Sequence, residues 1–171
     1  GAHVASDGVV WQNWRHSGYL TSFDRSKCTA TNGPVTGQSC PEGWSMHRLD
    51  RNPTFGGTDI LINADESYLM HMDDYDTLGL GMDLPVYGAV NTDSLEAFVP
   101  TTEQFVTLRV PYPMGFFARS GVGRIDDPTT GWKGKGFWSN YSNYAAWHLE
   151  GGPGTLQKVV KFQIRPDPLA K

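Results

Sequence analysis

Residues 85–113 read PVYGAVNTDSLEAFVPTTEQFVTLRVPYP. Three short extended segments follow one another here. Val86–Val90 runs to the polar Asn91-Thr92-Asp93 turn, Leu95–Val99 runs to Pro100-Thr101-Thr102, and Gln104–Val110 is closed by Pro111-Tyr112-Pro113. In the third segment Val106, Leu108 and Val110 alternate with Phe105, Thr107 and Arg109. A period of two is the strand period, because successive side chains leave a strand on opposite faces. Strands joined by tight polar turns predict an antiparallel meander.

The same pattern occurs upstream. Val10-Trp11 matches Val86-Tyr87, and Leu20–Asp24 matches Leu95–Val99 with Phe23 opposite Phe98. Glu42–Leu49 matches Glu103–Val110, with the aromatic, the Arg and the last aliphatic at equal offsets from the Glu. A partial third echo lies near the end of the sequence, in Gly136–Ser139 and Val159–Ile164, with Gly121–Gly131 as a strand ending in a turn. Ser67–Met72 reads as a further strand within an otherwise irregular stretch, and no long helix is predicted anywhere. Small antiparallel sheets repeated along a chain cannot bury both faces alone and must stack, as propeller blades do. The expected fold is therefore all-β, a partial β-propeller of about three antiparallel blades with long loops. A β-sandwich with chance internal similarity is the alternative. As one domain over 1–171, the expected divisions are a blade at 1–50, an irregular connector at 51–85, a blade at 86–113, and a blade with an aromatic insertion at 114–171.

Composition narrows the function classes. Fourteen Lys and Arg against eighteen Asp and Glu give a net charge of −4, and the cations are scattered, with Lys133-Gly134-Lys135 the densest pair. Phosphate binding needs a concentrated basic face, so no nucleic-acid partner is expected. The apolar runs fall short of membrane-spanning length, so no transmembrane segment is expected. The sequence begins Gly1-Ala2-His3 without a charged-then-apolar leader, which reads as a mature form or a piece of a longer protein.

Cys28 and Cys40 flank a Thr-, Asn-, Gly- and Pro-rich loop, at the place where the second repeat has only Pro100-Thr101-Thr102. The loop is an insertion in a blade turn, which costs little. A disulfide across it is expected and would stabilise the fold by roughly 3 kcal/mol. Two free thiols in a reducing compartment are the alternative, and the spacing does not suit zinc. A bridge implies a periplasmic or extracellular compartment.

Asp7–Trp11 followed by Leu20–Asp24, together with Gly123–Pro128, resembles the blade signature of streptogramin (virginiamycin B) lyase-like β-propellers. Tyr112–Phe117, Gly131–Gly134, His148–Gly152 and Arg165–Ala170 resemble the C-terminal portion of bacterial secreted or periplasmic members that carry such a propeller. At roughly 40 residues per blade, a complete ring needs more chain than this. The resemblance thus implies either missing upstream blades or a protein partner that completes the ring. It also implies that an enzyme of this type would be a Mg²⁺-dependent lyase using His and acidic residues at the central face. No position here aligns to those roles.

Three clusters carry candidate chemistry. His148 and Glu150, two apart, would share one side of a strand as an acid/base or metal pair, or form a solvated loop before Gly151-Gly152. His71 with Asp73, Asp74 and Asp76 offers oxygens for Ca²⁺ or Mg²⁺ but lacks the spacing of an EF-hand loop, so a solvated acidic turn is the plainer reading. The aromatic run from Phe137 to Trp147 holds Trp138, Tyr141, Tyr144 and Trp147, which read as blade packing, a docking surface or a carbohydrate platform. Nucleotide, haem and serine-nucleophile motifs are not found. The expected function is a non-catalytic periplasmic β-propeller segment, without a cofactor, acting as docking or accessory subunit of a larger assembly, membrane-bound complexes included. The alternatives are a Mg²⁺-dependent streptogramin-lyase-like enzyme and a carbohydrate-binding module.

Overall fold

In a computed structural model the described residues are 1–14, 17–31, 39–49, 67–89, 94–109, 121–125, 134–141 and 158–163. Among them the chain is all-β, in three antiparallel sheets. The first sheet has the order β1-β2-β3-β4, made of Ala2–Val4, Val10–Trp14, Tyr19–Phe23 and Trp44–Arg48. The second has the order β5-β6-β7-β8, made of Ser67–Asp73, Leu84–Ala89, Ser94–Val99 and Gln104–Arg109. The third has the order β11-β10-β9, from Gly121–Ile125 (β9), Lys135–Tyr141 (β10) and Lys158–Phe162 (β11).

The meander at 85–113 forms as its alternation requires. Val86 pairs with Ala97, and Ala97 with Val106, so β6, β7 and β8 share one register. The upstream copy forms a meander too, with Trp11 opposite Ser22 and Ser22 opposite Ser45, but Trp11 takes the place of Val86, one residue off the expected match with Tyr87. Each meander also gains a strand on its N-terminal side, β1 in the first sheet and β5 in the second. The stretch read as an irregular connector, 51–85, supplies β5 and the start of β6. In the third sheet Gly136–Ser139 lies in the central strand, and β9 plays the part of β1 and β5.

The sheets stack face to face. Trp11 and Leu20 of the first sheet, with Ala5 and Leu49 beside it, pack against Met70, Met72, Tyr87, Ala89, Phe98 and Phe105. The opposite face of the second sheet presents Val86, Leu95 and Ala97, with Leu78, to Phe137, Val160 and Phe162 of the third. The second sheet is thus covered on both sides, which is why β6 is buried at every position. The first strands lie closest together, β1 beside β5 and β5 beside β9.

Asp73, fully buried at the end of β5, fixes the turn that leads to β6. Its Oδ1 accepts from the Thr77 backbone N–H at 2.9 Å and from Thr77 Oγ1 at 2.7 Å. Its Oδ2 accepts from the Leu78 N–H at 2.9 Å. Gly123 of β9 lies against this knot, and a Cβ there would stand 2.6 Å from Asp73 Oδ1.

The expected Cys28–Cys40 disulfide is present, with the Cα atoms 5.4 Å apart. Around it, Asp24 Oδ1 accepts from the Ser26 N–H and Oγ, and Glu42 Oε1 accepts from the Thr29 N–H and Oγ1. These bonds hold both carboxyls below the usual carboxylate range. The insertion is thereby anchored at the start of β4. No helix among the described residues is long and apolar enough to cross a membrane.

Candidate functional site

Among the described residues, the first sheet has one face on the second sheet and no sheet packed on the other. Pleat alternation puts Trp11, Asn13, Leu20, Ser22, Ser45 and His47 on the covered side. It therefore puts Trp14, Tyr19, Thr21, Phe23, Trp44 and Met46 on the other. A solvated face would carry polar residues at those positions. Here Gln12, Thr21 and Arg48 share the face with Trp14, Tyr19, Phe23, Trp44 and Met46, and Trp14 is 49 %, Trp44 44 % and Met46 63 % exposed.

These residues bound a groove of about 370 Å³ lined by Trp14, Ser17, Tyr19, Thr21, Trp44 and Met46. Its rigidity has visible causes. The Trp14 indole Nε1 donates to Thr21 Oγ1 at 2.9 Å, and Thr21 Oγ1 donates to the Gln12 carbonyl at 3.2 Å. Phe23 packs on Trp44 with ring centroids 4.9 Å apart. Behind them Gly43 sits so close that a Cβ would lie 2.8 Å from Phe23 and 3.0 Å from Cys40 Sγ. The disulfide loop thus braces the Trp44 end of the face. The indole N–H and the threonine hydroxyl proton are both spent inside the wall, so the groove offers chiefly apolar contact to an occupant.

The predicted site residues are distributed otherwise. Trp138 is half-buried, with Lys161 Nζ 5.7 Å from its ring centroid. Tyr141 ends β10. Tyr144, Trp147, His148 and Glu150 lie outside the described residues. His71 sits on β5 with its Nε2 buried and without a hydrogen-bond partner. Burial pushes its pKa down to about 4, helped by the neighbouring His3 and the N-terminal ammonium. Asp76 Oδ1 accepts from the Gly81 N–H at 2.8 Å, which gives that carboxylate a turn-shaping task. Asp74 follows β5 directly. Among the described residues no three His, Cys, Asp or Glu side chains converge as a metal site would need.

Sequence reasoning passed over His47 and Ser22 on the covered face. The His47 ring is packed against Trp11 and Phe98, with centroids 5.5 and 4.5 Å away. Its Nε2 stands 3.4 Å from Ser22 Oγ. Burial lowers its pKa, and the Glu103 charge opposes that shift. Both residues sit where two sheets pack together, so they serve the core.

The open face escaped sequence reasoning because Trp14, Tyr19 and Trp44 come from three strands and meet only through register. Comparison with family models, with curated proteins and with solved structures gives no match in any of the three.

Proposed function

We propose that this chain is a propeller-type stack of sheets that acts without catalysis, docking through the open face of its first sheet as an accessory component of a larger assembly. The observation that carries this reading is the exposure of Trp14, Trp44 and Met46 around an apolar groove. Clustered Trp and Tyr on a flat, braced surface are the usual anchors of protein interfaces. The closeness of β1, β5 and β9 supports a radial arrangement, since propeller blades meet along their inner strands. The disulfide supports a periplasmic or extracellular setting. The resemblance to streptogramin lyase-like propellers agrees with this architecture and supplies the main rival, a Mg²⁺-dependent lyase.

The test is photo-crosslinking in the native host. A crosslinking residue replaces Met46 in one variant and Arg109, exposed at the end of β8, in another. Adducts from position 46 alone are expected. No adduct from position 46, or Mg²⁺-dependent ring opening of a streptogramin by the purified chain, overturns the reading.

A further inference from the structure

Register gives the groove on the first sheet a shape. Its floor is the row Gln12, Thr21 and Met46. One wall is the row Trp14, Tyr19 and Arg48, and the other brings Phe23 and Trp44. Tyr19 and Phe23 are four residues apart on β3, so the wall rows stand roughly 14 Å apart at their Cα positions. The result is a trough that runs across the strands, roughly 19 Å long where the sheet is four strands wide.

We infer that the partner enters this trough with one amphipathic α-helix, two of whose apolar side chains fill the groove. This rests on the docking reading above and names the part of the partner that docks. The first support is area. A face of roughly 17 by 19 Å buries about 650 Å² counted over both partners, well under the roughly 1,200–2,000 Å² of a stable interface between globular surfaces. An area this small suits a single segment.

The second support is hydrogen-bond accounting, which selects the kind of segment. The Trp14 indole N–H goes to Thr21 Oγ1, and the Thr21 hydroxyl goes to the Gln12 carbonyl. The Ser17 hydroxyl donates to the Trp14 carbonyl at 2.7 Å, and its Oγ accepts from the Tyr19 N–H at 3.1 Å. β2 and β3 are interior strands, so their backbone groups pair within the sheet on both sides. An added strand belongs at a sheet edge, not on this face. A proline-rich segment has no internal hydrogen bonds, and the indole donor that could meet its carbonyls is already spent. An α-helix satisfies its own backbone and presents only side chains to the wall.

The third support is fit. The groove holds about 370 Å³, more than twice the roughly 150 Å³ that takes one benzene ring inside a protein. It therefore has room for two large side chains, as residues i and i+4 of a helix supply from one face. Among the strand residues on this side, Arg48 is the one formal charge, so an acidic residue on the flank of the helix complements the Tyr19 wall.

Selection from a random peptide library on the purified chain tests this. The peptides are about 16 residues long, enough for a helix over the trough at 1.5 Å per residue. Clones that also bind Met46→Asp are removed; Met46→Lys serves instead if Met46→Asp changes the far-ultraviolet dichroism spectrum. The surviving clones are expected to repeat apolar residues at i, i+3 or i+4, and i+7. As free peptides they are expected to gain helical dichroism on binding, and to bind at least about tenfold more weakly after a central proline is introduced. Survivors with alternating or proline-rich patterns overturn the inference, as do survivors indifferent to the proline, or no survivors at all. In each of those cases, continued crosslinking from position 46 in the host leaves the docking reading standing, and its loss brings that reading down as well.

Discussion

Replacing Asp73 removes the acceptor for three donors at once. The carboxylate is wholly buried and receives the Thr77 N–H, the Thr77 hydroxyl and the Leu78 N–H at 2.7–2.9 Å. Its own backbone carbonyl takes the Asp83 N–H at 2.9 Å, so the turn is closed from both sides. In Asp73→Ala the hydroxyl can rotate to another partner, but the two backbone N–H groups cannot. Each buried unsatisfied donor costs about 1–3 kcal/mol, and bonds to a charged acceptor lie toward the upper end. The expected loss is about 4 kcal/mol, a large share of the stability of a small domain. Asp73→Asn keeps one oxygen but turns an NH₂ toward the Leu78 N–H or the Thr77 pair, for a loss of about 2 kcal/mol. Urea unfolding followed by Trp fluorescence reads both values, with an unchanged slope showing that the unfolded state is the same. A loss below about 1 kcal/mol for Asp73→Ala would refute the reasoning, because it would mean the donors find water or new partners without cost.

Gly123→Ala is expected to lose about 1–3 kcal/mol by overpacking, since the new methyl would stand 2.6 Å from Asp73 Oδ1 and 2.9 Å from Thr77 Oγ1; the same urea titration checks it. Acid should destabilise the fold well above the carboxylate range. His71 and His47 both have folded-state pKa values below the unfolded value of 6.5, so the unfolded chain binds protons first. For His71 the stabilisation is complete above pH 6.5 and is lost as pH falls toward about 4, a loss of about 2–3 kcal/mol after allowing for its partial exposure. Unfolding midpoints that stay flat from pH 7 to 5 in wild type, or that fall equally in His71→Phe, would contradict this. Reduction of Cys28–Cys40 is expected to cost roughly 3 kcal/mol, and thermal unfolding with and without reductant measures it.

The strands of residues 85–113 and their upstream copy were legible because alternation and turn residues coincide there. Of the first strands, β1 was not legible and β5 was legible as a strand but not as part of the second sheet, for local reasons. Ala2–Val4 is three residues long, too short for a period to show. Ser67–Asp73 carries an irregularity between Ser67 and Met70 that shifts its register. Its Met70 and Met72 face the first sheet, where a strand at the edge of a connector gives no warning of burial. Which face of the first sheet would be covered was not legible at all. Trp11 and Trp14 stand on opposite sides of β2, and both look like core residues in one dimension. Only the stacking order shows that Trp11 packs on Phe98 while Trp14 remains open. The run from Phe137 to Trp147 stands out in the sequence instead, because a dense aromatic run is visible in one dimension and a cross-strand cluster is not.

The central claim is that the open face of the first sheet is covered in the working assembly. Hydroxyl-radical footprinting of methionines addresses it directly, because Met46 is exposed on that face while Met70 and Met72 lie in the core between sheets. Met46 is predicted to be as protected as Met70 and Met72 in the intact assembly, and to oxidise much faster once the assembly is dissociated by dilution. Equal, rapid oxidation of Met46 in both states would contradict the account.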